Sequence, residues 1–358
     1  MTEEMLNTDR IEVSPEIREQ AKVYMTRRFR HIHKPDALMK KLARLGLEHV
    51  AKDMAARPEK YEAERSAEAP VEIGEEKVDP LDFLRKDQQL PSLPQVFMEL
   101  QQAINAPNTG ADDLASIISQ DPGLTAFLLR MVNSAFYSLP MQIDTISRAV
   151  TVIGVKQLST MAIGTSVMNL FKDIPPEVVD MERFWMHSIT CGLVARRLCI
   201  MTGRGQPERA FVAGLLHDIG QLLFFKTMPE KAAVLLAEAR RRGELLSKTE
   251  VDVLGFDHAT LGGMLLRKWN FPYVLVAGVL EHHNPKKSQK EAEPALVHCA
   301  ETITTGLGIG SSGEYYVQPP YPEVWAALGL TPGELEDMIH SLEDELEDSF
   351  SILIPEPR

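Results

Sequence analysis

A chain of 358 residues, 44% hydrophobic and 25% charged, can bury a sizeable core, either in two lobes or in one domain with extensions. A formal net charge of −13 argues against the whole protein being a nucleic-acid binder, and no apolar run approaches the roughly 18 residues that a membrane span needs. The acidic, polar opening MTEEMLNTDR is no secretory signal, and Cys191, Cys199 and Cys299 lack metal-knuckle spacing, so buried free thiols in a reducing, cytoplasmic compartment are expected.

Residues 14–50 read as helical, with Ser14 as cap and Pro15 at the first helical position. Charge is uneven here. Between Arg18 and Arg44 nine cations face only Glu19 and Asp36. Residues 1–55 are therefore expected to form a basic helical arm, solvated or docked on the acidic body. Its cations Arg18, Lys22, Arg27, Arg28, Arg30, Lys34, Lys40, Lys41 and Arg44 are the candidate partner-binding residues, and binding of nucleic acid through them would be strongly salt-dependent. Residues 56–80, rich in Ala, Glu and Pro, read as a flexible acidic linker.

A helical lobe is expected over 81–172. Val96, Leu100 and Ile104 recur every four residues, the pattern of an amphipathic helix. Two helices follow, broken at Asp121-Pro122-Gly123, and then two more punctuated by Gly154. Asp121 and Asn133-Ser134 read as caps and turns. A second helical lobe is expected over 173–310, with helices at 181–201, 207–225, 229–243, 257–269, 272–283 and 293–307. Residues 311–358 give a Gly/Pro loop and an acidic amphipathic helix, TPGELEDMIHSLEDELEDSF. Strand patterning is nearly absent, and the fold class is all-α.

Within AFVAGLLHDIGQLLFF, His217 and Asp218 stand between apolar runs long enough to be buried. A carboxylate removed from water costs several kcal/mol unless it is paired, hydrogen-bonded or metal-bound. Partners are available on other helices of the same half: His187 in FWMHS, His258 in FDHATLGG, His282 and His283 in LEHHNP, and His298 and Glu301 in LVHCAETI. A helical bundle can bring inward positions from distant segments together. Imidazole and carboxylate donors suit Fe, Mn, Ni or Zn, and water on such an ion becomes a nucleophile near neutral pH. In that case Asp218 and the bound water would carry a hydrolysis. A single histidine is more often a packed, hydrogen-bonded side chain, and His298 and His340 are read in that way.

The order His187, His217-Asp218, His258, His282-His283 resembles the HD superfamily of metal-dependent phosphohydrolases. From Leu90 to Pro285 the chain resembles the HDOD group, the HD-related output domains of bacterial signalling proteins, through LPSLPQVFMEL, ISQDPGLTAFLLRMVNSAFYSLP, ISRAVTVIGVKQL, FWMHS, AFVAGLLHDIGQLL, FDHATLGGMLLRKWNFP and EHHNP. The resemblance implies a two-lobed helical domain with an HD-like second lobe, acting as a signalling output through protein interaction or self-association. It carries His187, His217, Asp218, His258, His282 and His283 over as metal ligands, while for the late-helix acid the nearest residue is Glu301, longer than the family's aspartate. The sequence departs from the related HD-GYP enzymes, which hydrolyse cyclic di-GMP. Gln221 stands where their HDIGK motif has lysine, no Gly-Tyr-Pro segment follows His283, and Arg183 stands where some relatives offer a further carboxylate. A regulatory module without catalysis is the expected function, and a metal-dependent phosphohydrolase of nucleotides or cyclic dinucleotides is the alternative.

Overall fold

Ser14 Oγ accepts the Ile17 N–H at 3.3 Å, so the first helix starts where a hydroxyl cap followed by proline dictates. The computed structural model describes residues 13–59, 61, 79–85, 93–105, 110–168, 170–171, 174–287 and 290–353. Among these residues every regular element is helical. In chain order they are α1 (Pro15–Arg28), α2 (Ala37–Ala56), α3 (Pro80–Arg85), α4 (Gln95–Asn105), α5 (Ala111–Ser119), α6 (Pro122–Asn133), α7 (Ile146–Ile153), α8 (Val155–Met168), α9 (Met181–Thr202), α10 (Pro207–Leu216), α11 (Ile219–Thr227), α12 (Pro229–Arg242), α13 (Leu246–Leu254), α14 (His258–Lys268), α15 (Tyr273–Leu280), α16 (Glu293–Leu307), α17 (Pro322–Ala326) and α18 (Pro332–Leu353). No described helix is long and apolar enough to cross a membrane.

Helices α4–α8 form the first lobe around Phe97, Leu100, Leu114, Leu128 and Met131, all fully buried. Leu100 faces inward as its spacing predicts and Val96 is half-buried, while the Ile104 side chain lies outside the described residues. The breaks fall as expected: the Asp121 carboxylate accepts the Leu124 N–H at 3.0 Å, and Gly154 closes α7 with φ +103°. Asn133 accepts from and donates to the Ile143 backbone, as a turn residue should. The second lobe is built on α9, packed against α10 and α16, with α14 and α15 on α10 and α11, and α8 joins the lobes by packing on α10. Cys191, Cys199 and Cys299 are buried and free.

Several expectations need correction. Residues 14–50 are two helices: the first ends at Arg28, well before Pro35, and Asp36 caps a new start by accepting the Met39 N–H at 2.7 Å. The 207–225 stretch breaks at His217-Asp218, ahead of Gly220, which lies inside α11. Helix α13, between Gly243 and Gly255, was not foreseen at all. Of the expected linker, residues 60 and 62–78 lie outside the described residues, but Tyr61 is buried and its hydroxyl donates to Asp53 Oδ2 at 2.6 Å.

The arm docks: α2 packs on α16 and on α18. Arg28, expected on a partner-binding face, is instead 4% exposed, since Nη2 donates to the Thr305 carbonyl at 2.9 Å and Nη1 to the Tyr24 hydroxyl. Lys41 pairs with Glu336 at 2.5 Å, and Arg30 lies 5.7 Å from the Tyr316 ring centre. Arg18, Lys22, Arg27, Lys34, Lys40 and Arg44 are exposed.

Candidate metal centre

Two close helix approaches assemble the site. Gly214 on α10 meets Gly192 on α9, where a Cβ on Gly214 would lie 2.8 Å from the Gly192 Cα. That crossing sets His217, just past the end of α10, beside His187, with ring centres 5.4 Å apart. Gly220 on α11 meets the start of α14, where a Cβ would collide with the His258 carbonyl and lie 2.6 Å from the Gly262 nitrogen. Asp218 is thereby brought against His258. As the residue that opens α11, Asp218 makes no side-chain capping bond, and its carboxylate turns to the histidines.

Asp218 faces both ways. Its Oδ2 is 3.1 Å from His217 Nε2 and 3.9 Å from His187 Nε2, while Oδ1 is 3.1 Å from His258 Nε2. Glu301 on α16 completes the first group, with Oε2 2.8 Å from His187 Nε2 and 3.1 Å from His217 Nε2. The second group is His258, His282 and His283, with 2.9 Å between the Nε2 atoms of His283 and His258. All six residues with sequence support come together, and Glu301 joins them at the centre of the first group. His217, His282, His187, Asp218, His258 and Glu301 are 0–6% exposed, and His283 is half-buried.

The donor atoms fit an ion. Four rings are held at Nδ1, leaving Nε2 toward the cage: His217 on the Gly214 carbonyl at 2.6 Å, His282 on the Val279 carbonyl at 2.7 Å, His258 on Glu250 at 2.6 Å and His283 on Gln318 at 3.0 Å. Fixing one ring nitrogen so that the other is free is what metal-binding imidazoles need. His282 Nε2 is buried without a hydrogen-bond partner. His217 Nε2 is close enough to both carboxylates for ion pairing, yet is not aligned with either as a hydrogen bond. These histidine and acid clusters could hold a metal.

The buried imidazoles and carboxylates shift one another in opposite directions. Burial pulls His217 down, but Asp218 and Cys191 beside it push it well above the ordinary imidazole range. Burial likewise opposes His258, which Glu250 and Asp218 raise well above that range. Asp218 and Glu301, pushed up by burial, are held well below the carboxylate range by His217 and His258 in one case and by His187 and His217 in the other. Burial and the neighbouring His258 take His283 down to about 4, and burial with His283 lowers His282. A cation binds the neutral imidazole, so ion binding at His217 and His258 would compete with protons.

Arg183 lies one turn before His187 on α9, and it is the imidazoles of His217 and His258 that hold Asp218. Gln221 is buried in α11 with neither amide atom hydrogen-bonded. His298 is structural as read: Nδ1 bonds the His282 carbonyl at 2.8 Å and Nε2 accepts the Tyr321 N–H at 3.1 Å. His340 is exposed.

Several residues of the site escaped the sequence. Glu250 on α13 bonds both the ring and the backbone N–H of His258. Its signal was present: it falls midway between Leu246 and Leu254 on one apolar stripe. Cys191, one turn after His187, groups with His217 and Glu301, and burial pushes its thiol up to about 11. Gln318, and Glu314, which burial raises to about 7, come from an irregular segment with no periodicity to read.

A helical domain with an HD-type histidine and aspartate cage in its second lobe defines the class. The HDOD domain pattern matches residues 90–285, more than half of the chain, and the protein belongs to the HDOD family. Its sequence is similar to an uncharacterized protein of Treponema pallidum (strain Nichols), 28% identical over 211 residues, and this match spans 58% of the present chain but 40% of that relative's length. The structure is similar to that of a candidate phosphohydrolase of Shewanella amazonensis SB2B, with 25% identity, a TM-score of 0.61 and coverage of 78% of this chain and 100% of that one. It also shares its fold with a candidate signal transduction protein of Marinobacter aquaeolei VT8, with 18% identity, a TM-score of 0.60 and coverage of 86% and 73%.

Proposed function

We propose that this protein is a signal-transduction output module of the HDOD type, working in the cytoplasm through protein interaction or self-association and without catalysis. Its second lobe, from about residue 173 to 310, would use His187, His217, Asp218 and Glu301 for one ion and His258, His282 and His283 for a second, with Asp218 between them. Fe, Mn, Ni and Zn match these nitrogen and oxygen donors. The observation that carries the non-catalytic reading is burial: six of the seven donors are 0–6% exposed. A nucleotide-sized phosphoester needs an open face on the ion, and Gln221 offers it no cation where related enzymes have lysine.

A metal-dependent phosphohydrolase is the second reading, favoured by Asp218, whose two oxygens face separate donor groups. Two ions sharing one carboxylate can clamp a phosphoryl oxygen displacement. One experiment separates the two. The protein is purified without chelator, its metal content measured, and each metal-loaded form assayed on cyclic dinucleotides and generic phosphoesters. Bound metal with no turnover is expected. Turnover that disappears in both His217→Ala and Asp218→Ala would establish the hydrolase instead.

A further inference from the structure

The family pattern begins at residue 90 and leaves α1 and α2 unassigned, yet these helices lie against both walls of the cage. One wall is α16. There the Thr305 hydroxyl donates to Glu301 Oε1 at 2.8 Å, and the Thr305 carbonyl accepts from Arg28 Nη2 at 2.9 Å. The other wall is the segment 311–321, whose Gln318 bonds His283 Nδ1 at 3.0 Å, and one residue earlier the Val317 N–H donates to the Arg28 carbonyl at 2.8 Å. Arg28 thus holds, by its guanidinium and by its backbone, the segments that reach Glu301 in one donor group and His283 in the other. A guanidinium is costly to bury unless its donors are used, which ties its position to these partners. Helix α2 adds a close contact, since a Cβ on Gly46 would collide with the Gly306 carbonyl, next to Thr305.

We propose that the N-terminal arm is a strap whose seating on α16 and on segment 311–321 is coupled to ion binding in the cage, with Arg28 as the positioning residue. This rests on the reading of the cage as a metal centre. A seated arm fixes Thr305 and Val317, and through them Glu301 and the Gln318–His283 pair, before an ion arrives. The ion then binds more tightly to the strapped form, and by reciprocity it favours strapping. The exposed cations Arg18, Lys22, Arg27, Lys40 and Arg44 lie on the same two helices, and Lys34 lies between them. An acidic partner that displaced the arm would therefore loosen the ion, and loss of the ion would free the arm for such a partner.

The test uses the full chain, stripped with chelator and titrated with Zn2+ and Mn2+ against a chromogenic competitor, with amide hydrogen exchange followed with and without Zn2+. Zn2+ is expected to slow exchange in 15–28 and 37–56 of the unaltered protein, a measurement that needs no variant. Arg28→Ala is expected to weaken ion affinity about tenfold, within the usual range of coupling between sites. Arg28→Lys, which keeps the charge without the planar fork, falls between. Leu128→Ala in the first lobe lowers stability and leaves the affinity unchanged, which separates coupling from general loosening. Affinity within twofold of the unaltered protein in Arg28→Ala, together with unchanged exchange in the arm, overturns the strap alone. Failure of the unaltered chain to bind either ion overturns the metal centre and the strap with it.

Discussion

Asp121 opens α6 in the first lobe and Asp218 opens α11 in the second, and the two carboxylates do different work. Asp121 accepts the Leu124 N–H and stays half-exposed at the surface. Asp218, 3% exposed, leaves the start of its helix uncapped and serves the histidines. The lobes differ in the same sense. Phe97, Leu100, Leu114 and Leu128 give the first lobe an interior without a buried charged cluster among its described residues, while the second also encloses imidazoles and acids that must neutralise one another. An interior of the first kind is complete in itself. One of the second kind is poised to respond to whatever neutralises it.

The sharpest way to break this contrast is Asp218→Ala. Removing one partner of a buried charged cluster is expected to cost about 3–5 kcal/mol in the metal-free protein and to abolish stabilisation by added Zn2+, both read from urea unfolding. Leu128→Ala should cost about 3 kcal/mol through the cavity it leaves, with the Zn2+ response intact, since the donor groups found among the described residues all lie in the second lobe. A lost response in that variant would show the lobes to be one energetic unit.

Acidity should separate the lobes next. Burial takes His298 from the ordinary 6.5 down to about 4, so the folded protein resists a proton that the unfolded chain accepts. The resulting stability is present above pH 6.5 and is lost as pH falls towards 4, by about 2 kcal/mol between pH 7.5 and 5. His298→Asn should flatten that slope in the chelator-treated protein, and Leu128→Ala should leave it in place. The smallest effect belongs to Asp121→Ala: loss of one cap, about 1 kcal/mol, with no dependence on metal. If Asp121→Ala changed metal affinity, the two aspartates would not be as separate as their bonds make them.

The first lobe was largely legible from the chain. Its breaks at Pro122 and Gly154 follow from residues that cannot continue a helix, and its inward face follows from spacing. In the second lobe, histidines placed on successive helices announced themselves, but their partners did not. Glu301 looked marginal because its role depends on the turn of α16 that faces His187 and His217. Glu250 was lost with the whole of α13. Arg28 looked like one more cation of a basic face, since only docking decides which side of α1 is covered.

Local rules of the chain therefore determined an all-helical protein, the position of most helix ends and the set of residues able to bind a metal, because caps, prolines and apolar spacing act within a few residues. Tertiary structure alone decided that Asp218 stands between two donor groups, that Glu301 completes one of them while Glu250 holds His258 of the other, and that Arg28 is buried against Thr305. Those outcomes rest on glycines at 192, 214 and 220 around the cage and at 46 under the arm letting backbones approach within a few ångströms, and distances between segments far apart in sequence are set by packing, which no local pattern encodes.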